Sequence, residues 1–213
     1  MKYIHKGNEP PEIIDWKNTD KMCQNGNPRW NRLPTELKDL LRKRILEEQG
    51  YICCYCERNI GLNDFHLEHI KPKGINKYKI YQLDYNNLLC SCQLELEQGE
   101  PRHCGNSKGS WYVEDQFISP LDEDCEERFI FTVDGSIYPA NEQDIIARKT
   151  IEKLQLDIDK LRNLRKNAIE PFLDENITEE ELELFVQGYL VDKRLNNDVF
   201  NEFYTTIKYL FGN

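Results

Sequence analysis

Six cysteines, a glutamate–histidine pair and a run of lysines share the 56 residues from Cys53 to Lys108. The stretch reads CCYCERNIGLNDFHLEHIKPKG, later DYNNLLCSC, and finally HCGNSK. A structural zinc ion takes four sulfur or nitrogen ligands in a tetrahedron, often from two short knuckles. Cys53-x-x-Cys56 is one such pair. Cys90-x-Cys92 is too tight for the usual second knuckle, so we take Cys92 and Cys104 as the other pair, with residues 93–103 as an inserted loop. Cys54 and Cys90 are then spare thiols. The plainer alternative is a set of buried free cysteines, but five between positions 53 and 92 are hard to explain by packing alone.

Glu68 and His69 lie between the two cysteine groups. Hydrolysing a phosphodiester needs an activated water and stabilisation of charge on the phosphate and the leaving oxygen. A divalent metal meets the second need and a neutral imidazole the first. Glu68 is a hard oxygen ligand suited to magnesium, and His69 can accept a proton from water near neutral pH. Neighbouring strand residues point to opposite faces, so this pair can address one phosphate only at a strand end or bulge. Pro72 is consistent with such an end. His66 shares a strand face with Glu68 and fits a second ligand, an orienting group, or an ordinary core or surface position. Lys71, Lys73, Lys77 and Lys79 follow within nine residues, with no acidic residue among them. They are the best basic patch in the chain and are read as phosphate contacts.

Elements must hold these groups in place. Residues 1–33 read as an irregular arm, punctuated by Pro10-Pro11 and Gly26-Asn27-Pro28 and pinned to the body by Trp16 and Trp30. Residues 34–49 form a helix, with Leu37, Leu40, Leu41 and Ile45 at helical spacing and Gly50 to end it. Residues 51–60 make the knuckle, and residues 62–72 a strand running into a loop. Residues 128–138 read as a hairpin turned at Asp134-Gly135. Residues 141–170 look helical. Thr178-x-x-Glu181 fits a capping box that starts a helix to about Leu190, and a last helix spans 198–211. The implied segments are an N-terminal arm and helix (1–50), a central chemical module (51–110) and a hairpin with helices (111–213).

The composition, 39% hydrophobic and 31% charged, describes a soluble globular chain, and no apolar run is long enough to span a membrane. The opening MKYIHKGNEPPEIIDW has no apolar core of a secretory signal, so a cytoplasmic location with reduced cysteines is expected over a disulfide framework. The net charge of −10 argues at first against a nucleic-acid partner. Its distribution changes the argument: residues 1–50 carry +2, residues 51–110 carry 0, and residues 111–213 carry −12. The chemical module is not acidic. Without a strong basic field it should bind nucleic acid weakly alone, and a partner would supply the missing positive surface.

The residues Cys53-x-x-Cys56, His66-Leu67-Glu68-His69-Ile70, Asn87-Leu88, Cys92, and Cys104 with Lys108 resemble the HNH endonuclease family, the ββα-metal nucleases. The resemblance implies a knuckle and two strands followed by a helix, pinned by zinc, with a catalytic metal in the cleft. It further implies that His69 is the general base, Glu68 a metal ligand, and Asn87 the residue that fixes the loop carrying the base. Over the whole chain, MKYIHKGNEPPE, EEQG before YICCYCER, HLEHIKPK and CGNSKG resemble the PtuB-like HNH proteins of Septu and retron anti-phage systems. Such proteins are encoded beside an SMC/ABC-type ATPase and work in complex with it. Two departures stand out. The family's last motif residue, His or Asn, commonly follows the final zinc cysteine, where this chain has Gly105. Asn106 is then the expected second metal ligand, with His103 as the alternative. Glu68 stands where many relatives have Asp or His.

The expectation is therefore an α+β protein: a zinc-pinned ββα-metal nuclease core, an N-terminal helix, and a mostly helical C-terminal extension that docks a partner. Magnesium or manganese would serve the cut, and Lys71, Lys73, Lys77 and Lys108 would hold nucleic acid. The rival is a non-catalytic zinc module that recruits nucleic acid or scaffolds the ATPase; it keeps the four cysteines but does not need His69. A third reading is a thiol switch at Cys54 and Cys90.

Overall fold

The computed structural model describes residues 1–191 and 198–212. Pro10 and Pro11 do more than bend the N-terminal arm. Proline suits a first helical turn because its missing N–H would have had no partner there, and α1 runs Pro11–Thr19. Asp20 then caps α2, Lys21–Gln24, accepting from the N–H groups of Met22 and Cys23. The irregular arm expected over residues 1–33 is corrected accordingly. Trp16 and Trp30 both lie against the core. Helix α3, Thr35–Glu48, buries Leu41, Ile45 and Leu46.

Strand β1, Phe65–His69, pairs antiparallel with β2, Leu88–Cys92, placing Phe65 opposite Cys92 and His69 opposite Leu88. A short helix, α4, Cys104–Lys108, follows. Gln49, just past α3, clamps this unit. Its Nε2 donates to the carbonyls of Ile52 and Cys90, both at 2.9 Å, and its Oε1 accepts from the N–H of Cys90 at 2.6 Å.

Beyond α4, β3 (Phe129–Phe131) and β4 (Ile137–Pro139) form the second hairpin. Gly135 turns it at φ 84°, and a Cβ there would lie 2.1 Å from the Arg162 carbonyl oxygen, so no other residue fits. The helical stretch expected over 141–170 is two helices, α5 (Ile145–Leu154) and α6 (Asp159–Ile169). Gln155 takes a left-handed conformation and the N–H of Leu156 returns to the carbonyl of Ile151 at 3.0 Å. This is a Schellman ending made without glycine. Helix α7, Glu179–Tyr189, opens with the Thr178–Glu181 capping box. The last helix, α8, is Tyr204–Phe211, shorter than expected, because Phe203 before it is left-handed at φ 52°.

Residues from all three sequence segments share one core, Ile13, Leu88 and Leu154 among them. A smaller cluster joins Ile169, Phe172, Val186 and Ile207. The C-terminal segment also grips the knuckle. Glu57 accepts at its carboxylate from the N–H of Thr205 (2.8 Å) and at its carbonyl from the N–H of Phe203 (3.0 Å). The class is α+β, and among the described residues no helix is long and apolar enough to cross a membrane.

Candidate active site

The knuckle, β2 and the start of α4 bring Cys53, Cys56, Cys92 and Cys104 together. Their sulfurs all lie within 4.8 Å of one another and all four residues are buried. Sγ of Cys56 and Cys92 are 3.7 Å apart. That is far beyond a disulfide bond and close to the spacing of two thiolates on one tetrahedral ion with Zn–S bonds of about 2.3 Å. Burial opposes ionisation of Cys53, but hydrogen bonds from the thiols of Cys104, Cys54, Cys56 and Cys92 outweigh it and hold its pKa well below the ordinary thiol value. Four buried sulfur donors at this spacing fit a divalent cation such as zinc. Cys54 and Cys90 stand outside it. Burial pushes both of their thiols well up, and the Cys90 thiol points at the Arg42 carbonyl, 3.9 Å away.

The other end of the hairpin carries the second group. Glu68 is buried with one oxygen fully engaged. Its Oε1 accepts from the Tyr55 hydroxyl (3.1 Å) and pairs with the Lys108 ammonium (2.8 Å). Its Oε2 faces His66 Nε2 at 3.6 Å. Burial alone would raise the Glu68 pKa, yet His66 and Lys108 bring it below the usual carboxylate value. Lys108 also donates to the His69 carbonyl at 3.2 Å. The phosphate contact expected of Lys108 is corrected: it is an internal residue, 2% exposed, that fixes both members of the pair.

His69 sits at the last position of β1, the strand end that the pair needs. Its Nε2 lies 3.1 Å from the Gln82 carbonyl oxygen. A carbonyl only accepts, so this nitrogen carries the ring proton and Nδ1 keeps the lone pair. Trp30 meets the ring edge-on, with centroids 5.5 Å apart. Burial, reinforced by the nearby charge of Lys73, lowers the His69 pKa to about 4. The ring is therefore neutral and basic at Nδ1 across the physiological range.

Asn87 is buried where the loop after β1 returns. Its Oδ1 accepts from the Lys71 N–H (2.7 Å), and its Nδ2 donates to the carbonyls of Lys71 (3.1 Å) and Tyr81 (2.9 Å). Outside His69 lies an open cleft lined by Arg29, Trp30, Asn31, Arg32, Lys73 and Gln82. Lys73 and Lys77 are exposed, whereas Lys71 pairs with Glu114 and lies over the Tyr81 ring.

Of the sequence candidates for a second ligand beside Glu68, His66 faces it at 3.6 Å, whereas Asn106 and His103 do not. Asn106 donates from Nδ2 to the Gln93 carbonyl (2.7 Å), turning it toward the inserted loop. His103 is the clearer correction: its Nδ1 lies 3.1 Å from Cys104 Sγ, so it belongs to the thiol cluster. The α4 residues that meet the Glu68 carboxylate are Gly105 and Lys108. A Cβ at Gly105 would stand 2.8 Å from Glu68 Oε2, so the glycine leaves a small cradle bounded by a carboxylate oxygen and an imidazole nitrogen. The carboxylate oxygen alone suits magnesium or manganese, and the imidazole nitrogen beside it shifts the pair toward a transition-metal ion such as manganese. Sequence reasoning also missed Gln49, Tyr55 and Gln82. Tyr55 had a signal, its place inside the CYC knuckle. The Gln82 carbonyl had none, because any residue presents one.

Fold and site together define an α+β protein that joins a buried four-thiol cluster to a carboxylate–histidine pair at a strand end. No family model matches the chain. It is similar to "Retron Vc95 putative HNH endonuclease" of Vibrio cholerae serotype O1 biovar El Tor, 31% identical over 139 residues, covering 63% of this chain and 65% of that protein. It is also similar to "Retron Ec83 putative HNH endonuclease" of Escherichia coli, 27% identical over 215 residues and covering 79% of each. The match to the Vibrio relative takes in just under two thirds of that protein's length. Both of these similar proteins are named as HNH endonucleases of retrons.

Proposed function

We propose that this protein is a metal-dependent endonuclease that hydrolyses phosphodiester bonds of nucleic acid, and that it serves as the nuclease of a cytoplasmic anti-phage complex with an SMC/ABC-type ATPase. The observation that carries the reading is the His69 ring, locked at Nε2 by the Gln82 carbonyl and held neutral by burial. A water on its Nδ1 side gives up a proton to that nitrogen as its oxygen attacks phosphorus, and the bond from phosphorus to the leaving oxygen breaks. Glu68, through Oε2, would hold magnesium or manganese, and Cys53, Cys56, Cys92 and Cys104 would hold zinc. The catalytic ion, when bound, supplies Lewis-acid stabilisation to the phosphate and leaving-group oxygens. Lys108 keeps Glu68 and the His69 backbone in register, and Asn87 keeps the 71–81 loop closed against them. Lys73 and Lys77, with Arg29 in the adjoining cleft, hold the strand by its phosphates.

The family resemblance supports the ATPase partner, and the −12 charge of residues 111–213 with apolar side chains such as Ile145 and Leu184 left exposed there supports a docking surface in that segment. The test compares the ATPase complex of the wild-type chain with that of His69→Ala, at matched zinc content, with magnesium or manganese, on DNA and RNA. Cutting by the wild type and none by the variant supports the enzyme. Equal cutting moves the chemistry elsewhere and supports the zinc-scaffold alternative.

A further inference from the structure

Gly105 is not required by its backbone. It lies inside α4 and is absent from the glycines with positive φ. It is required by its neighbours. A Cβ built there would stand 2.5 Å from His66 Nε2, 2.8 Å from Glu68 Oε2 and 2.9 Å from Ser91 Oγ. Any side chain would collide with all three. The space on α4 that a side chain would fill is already taken by the imidazole of His66, reaching across from β1.

Two further observations say what that imidazole is doing. His66 Nε2 and Glu68 Oε2 face each other at 3.6 Å, too far for a good hydrogen bond. His66 Nδ1 is buried without a hydrogen-bond partner. The ring is thus placed for what its Nε2 faces and not by a bond at its other nitrogen. Glu68 Oε1 is consumed by Tyr55 and Lys108, which leaves Oε2 as the oxygen with capacity to spare. We propose that His66 Nε2 and Glu68 Oε2 are the two protein ligands of one divalent cation, His66 on the strand having taken the ligand position that Gly105 vacates on the helix. Both atoms lie within reach of one ion bonded at about 2.0–2.2 Å, and with two protein ligands the remaining positions fall to water and substrate phosphate. The inference rests on the nuclease reading above and assigns its second metal ligand.

The test uses the full chain with its zinc retained and manganese as the probe. Binding is followed by calorimetry and by the hyperfine coupling of a histidine nitrogen to the bound ion. Zinc content and the melting transition confirm that each variant is folded, and His66→Asn stands in should His66→Ala fail that check. His66→Ala is expected to weaken manganese binding at least tenfold and to abolish the nitrogen coupling. Gly105→His alone should perturb the site by collision. The double variant His66→Ala, Gly105→His should recover binding to within about threefold of wild type and restore the coupling from the new ring. Manganese bound equally well, with unchanged coupling, by His66→Ala would overturn the assignment. If wild type cuts nucleic acid while that result holds, the nuclease reading survives and only the His66 assignment falls. If wild type binds no manganese, the assignment falls with it.

Discussion

The two ends of one short hairpin do opposite things with buried polar groups. At the Phe65–Cys92 end, four thiols turn inward on each other and His103 closes over them with no exposure at all. At the His69–Leu88 end, about 13 Å away for five strand residues, each buried group has one atom satisfied and one held in reserve. Glu68 uses Oε1 and keeps Oε2; His69 uses Nε2 and keeps Nδ1. The first arrangement encloses its sulfurs in the core, as a structural site does, and leaves His103 Nε2 buried without a partner. The second leaves a carboxylate oxygen and a ring nitrogen uncommitted, as a reactive site must.

The sharpest way to break this contrast is at the thiol end. Cys104→Ala should lose the metal and unfold the central module, since structural zinc contributes on the order of 10 kcal/mol to such units. Cys54→Ala should keep full metal content and melt close to wild type. Metal analysis with thermal melting separates them, and equal metal loss in both would refute the four-thiol assignment. At the other end, His69→Ala should lower cleavage roughly 100- to 10,000-fold while leaving melting nearly unchanged; a large loss of stability would make His69 a structural residue. Asn87→Ala falls between the two. It strands the Lys71 N–H and two carbonyls, costing about 3 kcal/mol of stability, and should lower cleavage as well. Denaturant melts beside cleavage rates would show both losses or sink the shared role.

The pH profile gives a subtler test. A His69 pKa lowered to about 4 keeps the base unprotonated above that value, so cleavage should persist well below pH 6.5 and fall only as pH drops toward 4. An acid limb at 6.5 or higher would mean that the ring is not desolvated. The smallest effect belongs to the cleft. Lys73→Ala should weaken nucleic-acid binding a few-fold and reduce the slope of affinity against salt by about one. An unchanged salt slope would remove Lys73 from the strand's path.

Much of the thiol end was legible in the sequence because knuckle spacing is a local constraint. Cys53-x-x-Cys56 announces itself, and the tightness of Cys90-x-Cys92 was enough to point past Cys90 to Cys104. At the Glu68 end the sequence named residues that the fold brings near one another, and was less informative about their partners. Glu68, His69 and Asn87 could be named, but Lys108 was read as a surface cation, because a lysine's burial depends on a carboxylate forty residues earlier. Asn106 was expected to reach Glu68, with His103 as the alternative; the register of a five-residue helix decides the question, and no sequence pattern sets it. The helix ends were missed where side chains or non-glycine residues took on glycine's usual task, as at Gln155 and Phe203.

The contact between Glu57 and Thr205 closes a loop of 148 residues. Bringing together points so distant along the chain carries a loop-closure cost that grows with their separation, and non-local contacts of that kind slow folding. The knuckle therefore cannot receive this support until Thr205 has been made. During synthesis, a ribosome still making α7 would carry a thiol cluster whose exit strand is not yet tied down. Metal uptake by chains truncated before Thr205, timed against the full chain, would show whether maturation of the metal site waits for the end of translation.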